Sequence, residues 1–380
     1  MRFFGKTAMA VGLAGMIGFA GLVGGMASAG AATPISLAEV GSDTTYWAMR
    51  SAAATYNAAQ TATVVTEVMP IPAAPFPTSV TVPADSHCAA KTYNTTNLPP
   101  NGSSAGITAL QNDATGCIDF ARSSRGRGSS DISTDQFVAY ALDAVTWSYN
   151  STNTHNVHNL TISQLINIYT CSPTTHAPFV SNWSQLGGTA GPIVKYAPQT
   201  GSGTLSFFQT KLLNGATVDQ NCDSAHLSHR AEENQGQTRC TNNDPTCASG
   251  VQAIPSTDYP NLIMPYSYAK WTAQKNAAET DVRHGQTLGA VNGKVPAPTT
   301  VNETSTRFVG TRYVYNVLKT TEPSYAQTRA FAGASSTSNG FLCAGKAKGN
   351  LTKYGFTPLT AKVQGPGLMV GNCRVEPTPL

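Results

Sequence analysis

The sequence predicts an α/β protein of two lobes, and three observations carry that reading. Strand-like and helix-like segments alternate along the chain. The alternation breaks and restarts near the middle. After an export leader about 350 residues remain, too many for one ordinary core and suited to two. The leader is residues 1–32, where Arg2 and Lys6 precede an uncharged Gly/Ala-rich apolar run and Ala27-Ser28-Ala29 supplies small residues for cleavage. Uncleaved, an apolar run of about 20 residues would be long enough to anchor the chain in a bilayer. No cysteine near its end offers a lipid attachment point.

The elements follow in order. Residues 36–40 read as a short apolar strand, and after Gly41-Ser42-Asp43-Thr44-Thr45 the Ala-rich segment 46–60 reads as a helix. Residues 64–69 are a β-branched strand. The Pro-rich segment 70–83 is expected to be a surface loop. A short helix at 106–114, a strand at 117–121 and a longer apolar strand at 137–147 complete the first block, the last able to cross between lobes. The second block has a helix at 160–169, a strand at 193–197 and a helix at 205–213. A polar, Cys-bearing stretch at 224–250, an apolar segment at 261–264 and a helix at 267–278 follow. Residues 307–318 then alternate as a returning strand, and the tail holds a further helix.

Composition narrows the function classes. Charged residues are 12% of the chain and the net charge is +4 with no basic run, so nothing favours nucleic acid. The eight cysteines are even in number and form no paired C-x-x-C knuckles, so they read as disulfides of an exported protein. Local spacing suggests Cys88 with Cys117, Cys171 with Cys222, Cys240 with Cys247, and Cys343 with Cys373. The seven histidines are scattered. His226 and His229, beside Cys222 and Asp223, read as a polar loop held by a disulfide rather than a zinc site, so no metal and no cofactor are expected. Gly102-Ser103-Ser104-Ala105-Gly106 matches a nucleophile elbow by letter, but the preceding Asn97-Leu98-Pro99-Pro100-Asn101 cannot be the strand an elbow requires. Residues 340–347 approach a phosphate-binding loop yet end in alanine where a Ser or Thr should stand. An enzyme is therefore not expected, and a secreted phosphatase is the enzymatic alternative.

Three segments share one design, a Gly/Ser/Thr cluster leading into a helix: Gly41 to Thr45, Gly102 to Gly106, and Gly201 to Thr204. Helix starts expose backbone N–H groups and a positive dipole end, glycine allows close approach, and hydroxyls add neutral donors. Each segment alone is an ordinary helix cap. Three of them, two in one lobe and one in the other, describe a cleft for a tetrahedral oxyanion.

The ordered stretches GSDTTYWAM, NGSSAGITAL, IDFARSSRG, ALDAVTWS, LTISQLINIYTC, PQTGSGTLSFFQTKLL, EENQG and IMPYSYAKW, with TRYVYNVL, resemble the substrate-binding proteins of bacterial phosphate ABC importers. That resemblance implies a type II periplasmic-binding-protein fold, each lobe a mixed, mostly parallel sheet flanked by helices, with a ligand cleft between lobes. It also implies capture of inorganic phosphate for a membrane permease by a monomeric, extracytoplasmic protein. By motif position it assigns ligand contacts to Thr45 and Tyr46 beside Thr44, to Ser103, and to Ser202, Gly203 and Thr204. Two positions depart: the family's proton-accepting Asp is Ser124 here, and its Arg before the third loop is Pro198. Asp43 is the local substitute for the acceptor, and Arg125, or else Arg122, for the charge. Glu233, at the cleft edge, reads as a surface carboxylate or a bridge to an arginine.

The expected organisation is lobe I from residues 33–144 and 301–380 and lobe II from 145–300, hinged near 141–147 and 304–312. A sulfate-like oxyanion, another small ligand, or a scaffold role that retains the fold are the alternatives to phosphate.

Overall fold

The first strand, β1 (Ile35–Gly41), is buried along nearly its whole length, the condition of a central strand covered on both faces. Its alternate residues serve two layers: Leu37 packs in a core with Met49 and Ala52, while Ala38 and Val40 pack in one with Ile107 and Leu110. The structure, a computed structural model, describes residues 34–70, 78–152, 155–171, 179–234, 237–239, 251–298, 308–334, 339–360 and 368–376. The leader, Cys240 and Cys247 lie outside them. α1 (Tyr46–Ala58) covers the first face with Ala48, Met49, Ala52 and Ala53, and β2 (Thr63–Glu67) runs parallel to β1.

β3 (Ser79–Val82) and β4 (Lys91–Asn94) form a separate antiparallel ribbon. The loop expected throughout 70–83 is thus corrected at its end, where four residues without proline bury Val82 beside Tyr93 in the second layer. α2 (Ser103–Asn112) covers that layer. β5 (Phe120–Ser123) joins β1 in parallel. It starts later than 117, because Cys117 is bonded to Cys88 and Asp119 uses its carboxylate to accept the Ala38 N–H at 2.7 Å.

β6 (Asp135–Asn150) is the longest element and carries no proline or glycine to stop it. Beyond it come β7 (Asn159–Leu160), α3 (Ile162–Tyr169) and β8 (Val194–Pro198). α3 starts at a capping box of Thr161 and Gln164. α4 (Gly203–Phe207) continues into one π turn, Phe208–Leu212. β9 (His229–Ala231), β10 (Gln237–Arg239), β11 (Val251–Ala253) and β12 (Leu262–Ser267) follow, then α5 (Tyr268–Lys275), β13 (Gln286–Leu288) and β14 (Ala290–Val291). The chain returns in β15 (Thr311–Lys319) and closes with α6 (Tyr325–Ala332), α7 (Lys348–Lys353), β16 (Thr357–Pro358), β17 (Leu368–Val370) and β18 (Cys373–Glu376).

The main sheet runs in the order β11, β10, β9, β8, β12, β6, β15, β5, β1, β2. Parallel ladders join β2, β1 and β5 at one end and β9, β8 and β12 toward the other. Antiparallel β6 and β15 stand between the two sets. Residues 135–144 of β6 pair with β15 and residues 145–149 with β12, so one strand serves both halves of the sheet. The helices of the first half pack α1, α6 and α7 on one face and α2 on the other. The second half centres on Trp147, Trp183, Leu165, Phe208 and Ile263, all fully buried, where each large apolar side chain contributes about 1.5–3 kcal/mol by leaving water. The mixed two-part α/β architecture matches the fold class expected from the sequence. Three of the expected disulfides, Cys88–Cys117, Cys171–Cys222 and Cys343–Cys373, are present. Among the described residues no helix is long and apolar enough to cross a membrane.

Candidate functional site

The three Gly/Ser/Thr loops, far apart in sequence, meet at one place. The first leaves β1 at Gly41, whose φ of +111° suits glycine. A side chain at Gly106 would put its Cβ 2.5 Å from the Gly41 Cα, so α2 and the first loop touch through two glycines. In the second loop Ser103 Oγ accepts the Ser124 N–H at 2.9 Å and lies 3.2 Å from Ser124 Oγ. Ser42 Oγ donates to Ser124 Oγ at 3.1 Å. The third loop comes from the other half of the sheet, yet the Gly201 carbonyl accepts the Ser104 N–H at 3.1 Å. Gly203 sits so close that a Cβ there would lie 2.2 Å from Ser103 Oγ and 2.4 Å from Ser124 Oγ. Thr44 and Thr204 face each other with hydroxyls 3.4 Å apart. Thr44, Ser103, Ser124, Gly203 and Thr204 are therefore gathered, all from the expected set, and Asp43 adjoins Thr44 in the first loop.

The remaining expected residues take other places. Ser202 Oγ accepts the Leu205 N–H at 3.0 Å, the bond of a helix cap. Thr45 precedes α1 and is fully buried. Tyr46 packs against Met69 with the Arg122 guanidinium 5.4 Å from its ring centre. Arg125 is turned away into a bidentate pair with Asp131 at 2.7 and 2.9 Å, and its Nε donates to Ser104 Oγ at 2.9 Å. Arg122 lies beneath the first loop. Its donors go to the carbonyls of Ser42, Glu39 and Val68 and to Glu67 Oε2, at 2.7 to 3.0 Å. It shapes the loop from inside.

The cation of the site is Arg312, on β15. Its Nη2 donates to Thr204 Oγ1 at 3.1 Å and to Asp143 Oδ2 at 2.8 Å, while Nη1 donates to the Ser124 carbonyl at 2.9 Å. Asp143 also accepts the Ser267 hydroxyl and the Ala269 N–H at 2.8 and 2.9 Å, which fixes the guanidinium's orientation. Sequence reasoning looked for this charge in the loops. The usable signal was an arginine inside the apolar strand pattern of TRYVYNVL.

Two carboxylates face the hydroxyls. Asp43 is 1% exposed and its carboxyl makes a side-chain hydrogen bond with that of Glu233. Burial, then the nearby Glu233 carboxylate, hold it well above the usual carboxylate range, and Lys270 opposes this less strongly. Glu233 is a correction to the expected surface carboxylate: it is fully buried. Its Oε1 accepts the Thr204 hydroxyl at 2.8 Å and the Thr44 hydroxyl as well. Its backbone N–H is held by Gln199 Oε1 at 2.9 Å. The next residue, Asn234, donates from Nδ2 to Thr44 Oγ1 at 3.1 Å. Among the described residues no group of three or more His, Cys, Asp or Glu is placed to hold a metal ion. Chemically this is a buried set of hydroxyls with one fixed cation and two carboxyl groups, rich in hydrogen-bonding groups for a small polar ligand.

A family model described as PBP superfamily domain matches residues 27–333. No curated protein matches the sequence. Among solved structures, a candidate phosphate ABC transporter substrate-binding protein from Clostridium perfringens, with bound phosphate, shares 16% identity. It covers 85% of this chain and 99% of its own, with a TM-score of 0.52. An ABC-type phosphate transport receptor from Vibrio cholerae shares 19% identity over 84% of this chain and 99% of its own, with a TM-score of 0.49.

Proposed function

The chain belongs to the PBP superfamily, and we propose that it is an exported solute-binding protein that captures inorganic phosphate at the three meeting loops. One observation carries the reading: Thr44, Ser103, Ser124 and Thr204 bring their hydroxyls together with the Arg312 guanidinium, beside the buried carboxyl of Asp43. Burial and the Glu233 carboxylate favour the proton-bearing form of Asp43 in the ligand-free site; in this reading Asp43 gives up that proton when ligand binds and then accepts the proton of hydrogen phosphate, which fully ionised sulfate does not carry. Asp43 thus takes the role that Ser124 cannot fill, and Arg312 the role left by Pro198.

In this reading residues 1–32 direct export and residues 33–144 with 301–380 form one lobe, 145–300 the other. The protein works as a monomer that hands its ligand to an ABC importer permease and catalyses no reaction. The three disulfides support the exported setting. The test is calorimetric titration of Thr33–Leu380, a compact unit, with phosphate and with sulfate near neutral pH. Saturable phosphate binding without a sulfate response is expected. In Asp43→Asn, phosphate affinity should fall by about ten- to a hundredfold and any sulfate response should not. Equal binding of both anions would reassign the site to sulfate-like oxyanions, and no heat with either would favour a scaffold role.

A further inference from the structure

We propose that Glu233 is an internal occupant of the oxyanion site: its carboxylate holds the hydroxyls of Thr44 and Thr204, and ligand binds only by displacing it. The inference rests on the reading of these loops as an oxyanion site. Each hydroxyl has one proton to give, and both are directed at the same atom, Glu233 Oε1. A carboxylate oxygen held by two hydroxyls from opposite halves of the sheet uses the same donors that an oxyanion oxygen would use. The two are mutually exclusive there, both sterically and by charge.

The surroundings allow the exchange. Glu233 is fully buried, and beyond the two threonines its carboxylate has the Asp43 carboxyl as a side-chain hydrogen-bond partner. The main chain around it is fastened separately: Gln199 accepts the Glu233 N–H at 2.9 Å, and the Asn234 carbonyl accepts Tyr266 Oη at 2.7 Å and Gln274 Nε2 at 3.0 Å. Asn234 also accepts the Ser267 N–H on its own side chain at 2.7 Å. Rotation of the Glu233 side chain would leave this scaffold in place. The residue therefore sets affinity and selectivity, because a ligand must outcompete a resident carboxylate for two hydroxyls.

Substitution with exogenous rescue tests this. In Glu233→Ala the competitor is gone, so inorganic phosphate should bind at least about tenfold more tightly than to the wild type. Independently of phosphate, acetate should fill the space between Thr44 and Thr204, raising the melting temperature of Glu233→Ala by several degrees and leaving the wild type unchanged. Acetate rescue without phosphate binding to either form would retain the internal occupant and sink phosphate as the ligand. Glu233→Ala without acetate stabilisation, or with weaker or unchanged phosphate binding, would overturn the proposal. Should that variant not fold, Glu233→Gln decides: its neutral amide holds the hydroxyls less strongly, so phosphate must bind more tightly than to the wild type, and equal or weaker binding contradicts the inference.

Discussion

Asp119, 3% exposed just before β5, accepts the Ala38 N–H at 2.7 Å and the Ser324 hydroxyl, and so ties the central strand to the residue that precedes α6. Burial pushes its carboxyl from the usual 3.8 up to about 7, against the lowering effect of those bonds. The sign of the consequence is fixed by linkage. Asp119 keeps its proton in the folded protein at pH values where the unfolded chain has lost it, so its stabilising contribution is complete below about 3.8 and is lost as pH rises through about 7. Asp119→Asn should therefore cost about 1–3 kcal/mol near pH 5 and measurably less near pH 8 in urea unfolding; an equal or larger cost at pH 8 would contradict this. Other residue-scale features were beyond sequence reading. Arg312 meets a hydroxyl 108 positions away and Glu233 one 189 positions away, and no local pattern encodes such a contact. The loops themselves were legible, because Gly, Ser and Thr before a helix have a local physical reason to be there.

At the scale of elements, the position of α2 depends on glycine. The Gly106 Cβ that an alanine would add lies 2.5 Å from Gly41 Cα and 3.3 Å from the Val40 carbonyl oxygen. In an open helix, Gly→Ala gains about 1 kcal/mol. Here it should instead destabilise by about 1–3 kcal/mol, since α2 must move off β1, and phosphate binding should weaken because Ser103 moves with the helix. An unchanged or raised melting temperature would show that the approach is not tight. Most helices and the longer strands were legible from periodicity and composition, β1, α1, β2, β6 and α3 within a few residues, whereas the short strands of two to four residues, β3, β4, β7, β9 to β11, β13, β14 and β16 to β18 among them, were not. The exceptions have tertiary causes. β3 owes its pairing to β4, and β5 starts late because Asp119 accepts a backbone N–H from β1 with its side chain.

At the scale of the molecule, β6 joins both halves of the sheet without a break, and the Val145 N–H bonds the Gly310 carbonyl at 2.8 Å just before β15 begins. The proposed lobes would close about this pair of strands, bringing Thr204 and Glu233 from one side to Thr44 and Ser103 from the other. On the proposed function, an oxyanion is held at this junction of hydroxyls. The most direct test is titration of the wild type and of Thr44→Val/Thr204→Val with inorganic phosphate, each checked for a native fold by circular dichroism. Saturable binding to the wild type is expected, at about micromolar level or tighter, with a loss of about a hundredfold or more in the double variant. No saturable binding to the wild type, or equal affinity in the folded double variant, would contradict it.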